Sequence, residues 1–354
     1  MHKKFNLLFL GASYGSLFAA KIALAGHDAC LVCLPEEEQL INERGIVIRL
    51  PVRGLENSVE ITSKDLRGQV SATSAVAARP DDYDLVVLAM QEPQYGAPGV
   101  RELMQRVAAS GRPCVSIMNM PPPPFMARLP GVDLADLDAC YTEMSVWRDF
   151  DPALVTLASP DPQAFRPPGE PVNTLQVGLP TNFKVAEFPS AEHNAWLRQL
   201  QRDIEDIRYQ AEGREVELPV KLKVHASLFV PLAKWLMLLT GNYRCILDTD
   251  IQSIRDAVHG DLEQSRKIYQ WVGALCRDLG AGDDDLVPFE KYARAAESLG
   301  NPSSAARALA GGAKNIERID RLVQALAASR GRQLDEVDRI VARVDAWLQR
   351  NRQA

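Results

Sequence analysis

The chain has 354 residues, 46% of them hydrophobic and 24% charged, and that length and apolar share suit a globular protein of two domains with substantial cores. Its formal net charge of −6 argues against nucleic acid or an anionic membrane surface as the main partner. Six cysteines in so long a chain do not make a disulfide framework.

Residues 1–11, MHKKFNLLFLG, imitate a secretory signal with a basic start and an apolar stretch. The stretch is short, contains Asn6 and runs into a glycine turn, so it reads better as a buried strand over 5–10. A cytoplasmic protein is expected. No run of about 18 apolar residues predicts a membrane span. The nearest candidate, 226–239, carries Pro231 and Lys234. A helix over 15–25 ends at Gly26, and HDACLVCL (27–34) is a second strand. Such a βαβ unit implies a parallel sheet with right-handed crossovers. Within that strand Cys30 and Cys33 point to opposite faces and read as core residues, not a redox pair. No metal site is expected.

Between the two strands lies GASYG, residues 11–15. Backbone N–H groups and the helix dipole favour negative charge at a helix N-terminus, so a glycine turn entering a helix suits a dinucleotide pyrophosphate. The full fingerprint has three glycines. Here Gly11 ends the strand and Gly15 stands where helix and strand pack closely, while Ala12 or Ser13 replaces the middle one. Gly11, Ala12, Ser13, Tyr14 and Gly15 are therefore the candidate cofactor-binding residues. The other reading is a plain turn with no ligand. The second strand ends at Leu34 and Pro35, which offer a ribose neither an acidic residue nor an arginine. Glu36 to Glu38 follow and would repel a 2′-phosphate, which favours NADH over NADPH.

Two more apolar strands follow, DLVVLAM (84–90) and PCVSIMN (113–119), separated by a helix over 99–110. From Pro121 to about Glu187 the alternation breaks. PPPP (121–124) excludes helix and central strand, 159–171 reads as loop, and NTLQVGL and FKVAEF read as late strands of the first domain. From residue 219 onward helix follows helix. The segments 265–280, 314–331 and 334–350 repeat apolar residues at i+3 and i+4, as core-facing seams do. Those last faces leave a homodimer open. The expected architecture is α/β: a Rossmann-like dinucleotide-binding domain over 1–218, then an all-helical domain over 219–354.

One charge interrupts the apolar pattern. HASLFVPLAKWLMLLTGNYR (225–244) reads as a helix apolar on nearly every side, with Lys234 in its midst. Burying an ammonium is costly, so a desolvated lysine gives up its proton more readily. That suits it to protonate a carbonyl oxygen as hydride reaches the carbon. A lysine whose stem packs and whose head reaches water is the structural alternative. Asn242 lies roughly 80° around and ~12 Å along an ideal helix, within range of the same site.

Taken together, the GAxxG turn with Gly26–His27, the Met118–Asn119 strand end, AKWLMLLTGN (233–242) and NPSSAARALAGGAKNIERID (301–320) resemble the ketopantoate reductase family. The resemblance implies NADPH-dependent reduction of 2-dehydropantoate and a helical domain of the 6-phosphogluconate-dehydrogenase type. It makes Lys234 the catalytic lysine and assigns substrate-binding roles to Asn119, Asn242 and Ser304, with Asn119 also near the cofactor. The family glutamate falls on Glu317, or on Arg318 if one residue is inserted, and alignment of the Ile319–Leu322 seam favours Arg318. Leu238 replaces the first asparagine of the lysine motif and Met120 a glycine. Gln91, at a cofactor-side position, replaces a lysine, and Leu34 replaces the arginine that reads the 2′-phosphate.

The proton-donating group is retained while two positive charges are lost. The expected activity is therefore NAD(P)H-dependent reduction of a small ketone or 2-oxo acid other than ketopantoate, with Lys234 and Glu317 as catalytic residues. An opine-type dehydrogenase and a catalytically silent dinucleotide-binding protein are the alternatives.

Overall fold

The computed structural model describes residues 3–353. They form two units, each assembled from separate stretches of chain. The first comprises the chain up to Met90, Gln94–Met118 and Ser145–Ala226; the second comprises Gln91–Pro93, Asn119–Met144 and the chain from Ser227. The expected cut at residue 218 is thus replaced by an interleaved division, because segments inside the first domain pack with the helices. No helix among the described residues is long and apolar enough to cross a membrane.

The first unit is built on an eight-stranded sheet. Its strands are β1 (Asn6–Leu10), β2 (Asp28–Val32), β3 (Val70–Thr73), β4 (Leu85–Leu88), β5 (Cys114–Ile117), β6 (Val155–Ser159), β7 (Phe183–Ala186) and β8 (Leu222–His225). They lie in the order β8-β7-β6-β5-β4-β1-β2-β3, with only β6 and β7 antiparallel. The central strands are buried on both faces, which is why their sequences are apolar runs instead of alternating ones; the polar Ser116 in β5 is buried with its hydroxyl donating to the Thr156 carbonyl at 2.9 Å. The α-helices of this unit are α1 (Gly15–Leu24), α2 (Pro35–Arg44), α3 (Val100–Ser110) and α4 (Ala191–Glu205). His27 of the Gly–His pair is structural. It is buried, accepts a hydrogen bond from the Phe5 N–H and meets the Asp203 carboxylate at 3.0 Å.

Of the two late strands, FKVAEF joins this sheet as β7, whereas Thr174–Leu179 pairs with Val47–Leu50 in a separate four-stranded sheet. LKVH (222–225) forms β8, so helix does not yet begin at residue 219.

The second unit is helical, with α5 (Leu262–Asp278), α6 (Ile319–Ala328) and α7 (Asp335–Gln353) presenting the expected seams. Ile268, Val272, Leu322, Val323, Val344 and Leu348 are all buried. The proline run does contain a helical turn, Pro123–Met126. Proline is tolerated there because a first-turn N–H has no intrahelical acceptor to lose. The single helix expected over 225–244 is absent. After β8 the chain turns until Lys234–Met237, a short α-helix that passes into a π-helical turn at Leu238–Asn242.

Candidate active site

The turn at residues 11–15 has the geometry of an anion-binding strand–turn–helix. Gly11 has φ +108°, and a Cβ there would lie 2.6 Å from Met90 Cγ and 2.9 Å from the Ala89 carbonyl oxygen. Only glycine fits. A Cβ at Gly15 would approach Ala89 Cβ to 3.2 Å, so this residue serves close helix–strand packing. Ala12 is buried and Ser13 exposed, and no side chain caps the N-terminus of α1. Tyr14 is held by the protein: its hydroxyl donates to the Pro162 carbonyl at 2.6 Å and its ring packs edge-on against Phe183. It anchors the turn, while Ser13 stays exposed just before the helix.

At the end of β2, Leu34 is 73% exposed and Pro35 opens α2. Among the three glutamates Glu37 is paired, and its partner is the Arg166 guanidinium. Beside them the Cys33 thiol is pushed up to about 12, by burial first and then by the charges of Glu37 and Glu38. Arg166 is thus a basic group at a place where the local sequence has none. It comes from 129 residues away in the chain, and no local pattern could have marked it.

The second unit contains a narrow pocket of about 30 Å³, room for roughly two waters. Gln91, Asn119, Asn242, Ser304 and Glu317 all line it, with Leu238 and Ile316 among its apolar walls. Five residues singled out in separate stretches of sequence therefore share one pocket.

Glu317 is its electrostatic centre. The residue is 8% exposed, and its carboxylate accepts hydrogen bonds from Asn119 Nδ2 at 3.2 Å and from the Met120 N–H at 3.4 Å. The Glu92 backbone N–H is a third donor. Burial raises its pKa to about 6, these donors hold it from rising further, and the Glu92 charge adds to the rise. Because Asn119 Nδ2 faces the carboxylate, Oδ1 is turned away; it is buried and accepts no hydrogen bond among the described residues. An acceptor left that way suits a ligand O–H or N–H.

Glu317, not Arg318, faces this pocket. Arg318 turns the other way, with Nε and Nη2 donating to Asp320 at 3.0 and 2.9 Å and Nη1 to Asp345 at 2.6 Å. Both residues precede α6, which begins only at Ile319, so the apolar seam of that helix does not decide between them. Tyr243 secures this stretch: its hydroxyl donates to the Glu317 carbonyl and accepts from the Ile319 N–H at 3.1 Å.

No family model and no curated protein matches the chain. Solved structures do match. A 2-dehydropantoate 2-reductase from Methylococcus capsulatus superposes with a TM-score of 0.67 at 15% identity, over 98% of each chain. A ketopantoate reductase from Ralstonia eutropha JMP134 gives 0.64 at 14% identity, covering 98% of this chain and 99% of its own. D-mandelate dehydrogenase, in a ternary structure with NADH and anilino(oxo)acetate, gives the same values. The chain has the ketopantoate reductase fold.

Within this ketopantoate reductase fold, Lys234 stands apart from the other site candidates. It is half-buried at the start of its short helix although Ala233, Trp235 and Leu236 beside it are buried, so it is less enclosed than expected. The residues lining the pocket do not include it. Leu238, one turn or ~6 Å further along, does line the pocket. The π turn begins at Leu238 and carries Asn242 onto the same wall. Ser303 steadies that turn, donating its hydroxyl to the Asn242 carbonyl at 2.7 Å while it caps the helix Ser304–Ala310. The neighbouring Ser304 is the one at the pocket.

Sequence reading missed Glu92, which is 2% exposed and accepts hydrogen bonds from the Thr142 N–H at 3.0 Å and hydroxyl at 2.9 Å. Its burial rests on Thr142, 50 residues away, and no local pattern marks it.

Proposed function

We propose that the chain is an NAD(P)H-dependent reductase of a small ketone or 2-oxo acid other than ketopantoate. The observation that carries this reading is the convergence of Gln91, Asn119, Asn242, Ser304 and Glu317 on one pocket. The nicotinamide cofactor, when bound, supplies the hydride. In the first unit the turn that Gly11 closes and the uncapped end of α1 would hold its pyrophosphate. In the second, Asn119 Oδ1 accepts from the hydroxyl or amide of the ligand, held in that orientation by Glu317. Asn242 and Ser304 bind further polar groups, and Lys234 delivers the proton to the oxygen of the reduced carbonyl. No cation lines the pocket and Glu317 is its single carboxylate, so it favours a neutral, hydrogen-bonding ketone over a carboxylate set deep inside.

Ser13→Asp tests the cofactor assignment. A carboxylate at exposed position 13, just before the N-terminus of α1, suits the helix dipole but repels a pyrophosphate. The variant should melt no earlier than the native chain and lose the thermal stabilisation that NADH or NADPH produces. A native protein that shows no stabilisation with either nucleotide at millimolar concentration would refute the whole reading.

NADH is the favoured cofactor, because Arg166 is neutralised by Glu37. Glu37→Gln frees that guanidinium for a 2′-phosphate. Calorimetry should then show the NADPH-to-NADH affinity ratio rising about tenfold, the order of one added charge-assisted contact. An unchanged ratio excludes Arg166 from cofactor choice.

One observation favours a second reading, a dinucleotide-binding protein without turnover: Lys234 lies outside the pocket lining. The Lys234→Ala experiment below separates the two.

A further inference from the structure

We propose that the second unit carries a separate binding site for a small multivalent oxyanion, in a cavity bounded by residues 139–142, the stretch before α6 and the last turns of α7. This cavity has a volume of about 490 Å³, within the range of small-molecule sites. Three guanidinium groups line it, those of Arg318, Arg321 and Arg352, against a single lining carboxylate, Asp345. The lining therefore has an excess of two positive charges, in a chain whose net charge is −6. Counting the buried Asp320 behind Arg318 still leaves one.

The arginines are ordered before any ligand arrives. Arg318 is clamped by Asp320 and Asp345, and Arg321 donates to the other oxygen of Asp345 at 2.7 Å. Arg352 donates to the Lys314 carbonyl at 3.0 Å and to Asn315 Oδ1 at 2.9 Å. A guanidinium has five N–H donors in a planar fork that matches carboxylate and phosphate oxygens. These contacts, with that of Arg321 Nη1 to the Ala139 carbonyl, use three of the five N–H donors of Arg318 and two each of Arg321 and Arg352; the donors that remain suit a ligand with two or more such groups, because little side-chain freedom is left to be lost on binding.

The site is also wired to the Glu317 pocket. Ile316 lines both cavities, and the consecutive Glu317 and Arg318 point one to each. Thr142, in the oxyanion cavity, holds the Glu92 carboxylate, whose backbone N–H in turn binds Glu317. Binding itself does not depend on the reductase reading.

The test is titration of the full chain with inorganic phosphate and with citrate, against sodium chloride at equal ionic strength. Saturable heat and a rise in Tm are expected with at least one of the two. The better anion tells whether phosphate or carboxylate groups are read. Arg352→Gln, in the exposed last turn of α7, should weaken binding about tenfold. Arg321→Gln should do the same and leaves Asp345 paired with Arg318; if it fails to fold, Arg352→Gln decides alone. Ser13→Asp, which blocks the other anion-binding turn, should leave the affinity unchanged. The proposal is overturned if neither anion binds beyond the chloride control, if Arg352→Gln leaves the affinity unchanged, or if Ser13→Asp abolishes it.

Discussion

Lys234→Ala should cut turnover by ~10²–10⁴-fold, the contribution of a positioned general acid, while nucleotide affinity changes little. The lysine heads a short helix in the second unit, and the turn proposed to bind the nucleotide belongs to the first. Folding should survive. The side chain is half-buried, and alanine is a good helix former that leaves no charge to be desolvated. Lys234→Arg is the sharper companion, because arginine keeps the charge but does not release its proton at ordinary pH. If the ammonium acted only by attraction, arginine would restore activity; if it donates a proton, activity stays low. The purely structural alternative makes the opposite forecast, an early-melting variant with full turnover per folded molecule. That outcome would remove Lys234 from the mechanism and favour the reading as a binding protein without turnover.

Much of the first unit was legible because its signals are local. A strand buried on both faces must be an apolar run, and β1, β2, β4 and β5 are such runs. Gly11 had to be glycine for a reason the sequence alone supplied, a tight turn, though only the structure shows Met90 and Ala89 closing over it. The helix expected over 225–244 failed for the converse reason. Its composition is right, but Ser227 and Pro231 favour turns, and the chain becomes helical only at Lys234. Lys234 is only half-buried while Trp235 and Leu236 beside it are buried, so an apolar sequence neighbourhood does not fix how far the lysine itself is enclosed.

Side-chain pairs between distant stretches were out of reach. Nothing near Glu37 announces Arg166, and nothing near Asn119 announces Glu317, 198 residues away. The ambiguity between Glu317 and Arg318 could not be resolved by periodicity either. Both residues precede α6, so the 3.6-residue rule does not govern them. What separates them is electrostatics. Arg318 has two carboxylates on one side, and that leaves Glu317 facing the other.

Glu317 also sets an expected pH dependence. Burial raises its pKa from the ordinary 4.5 to about 6, so the folded chain holds this proton more tightly than the unfolded chain does. Its ionisation therefore costs stability above pH ~6, and that cost fades as the pH falls from about 6 to about 4.5. Activity should move the other way. The ionised carboxylate accepts from Asn119 Nδ2 and so aims Oδ1 at the ligand; once protonated, one oxygen becomes a donor among donors and that aim is lost. The native kcat/KM should fall as the pH drops through about 6. Glu317→Gln should be lower by roughly 10–100-fold, the scale of a small misplacement of reacting groups, and should lack the acid limb. Its amide puts an N–H where the carboxylate received one, so it cannot satisfy Asn119, Met120 and Glu92 together. Nucleotide-induced stabilisation should persist, which separates this effect from loss of cofactor. A native profile that stays flat across pH 5–7, or a glutamine variant that keeps the acid limb, would assign that proton to another group and leave Glu317 a structural acceptor.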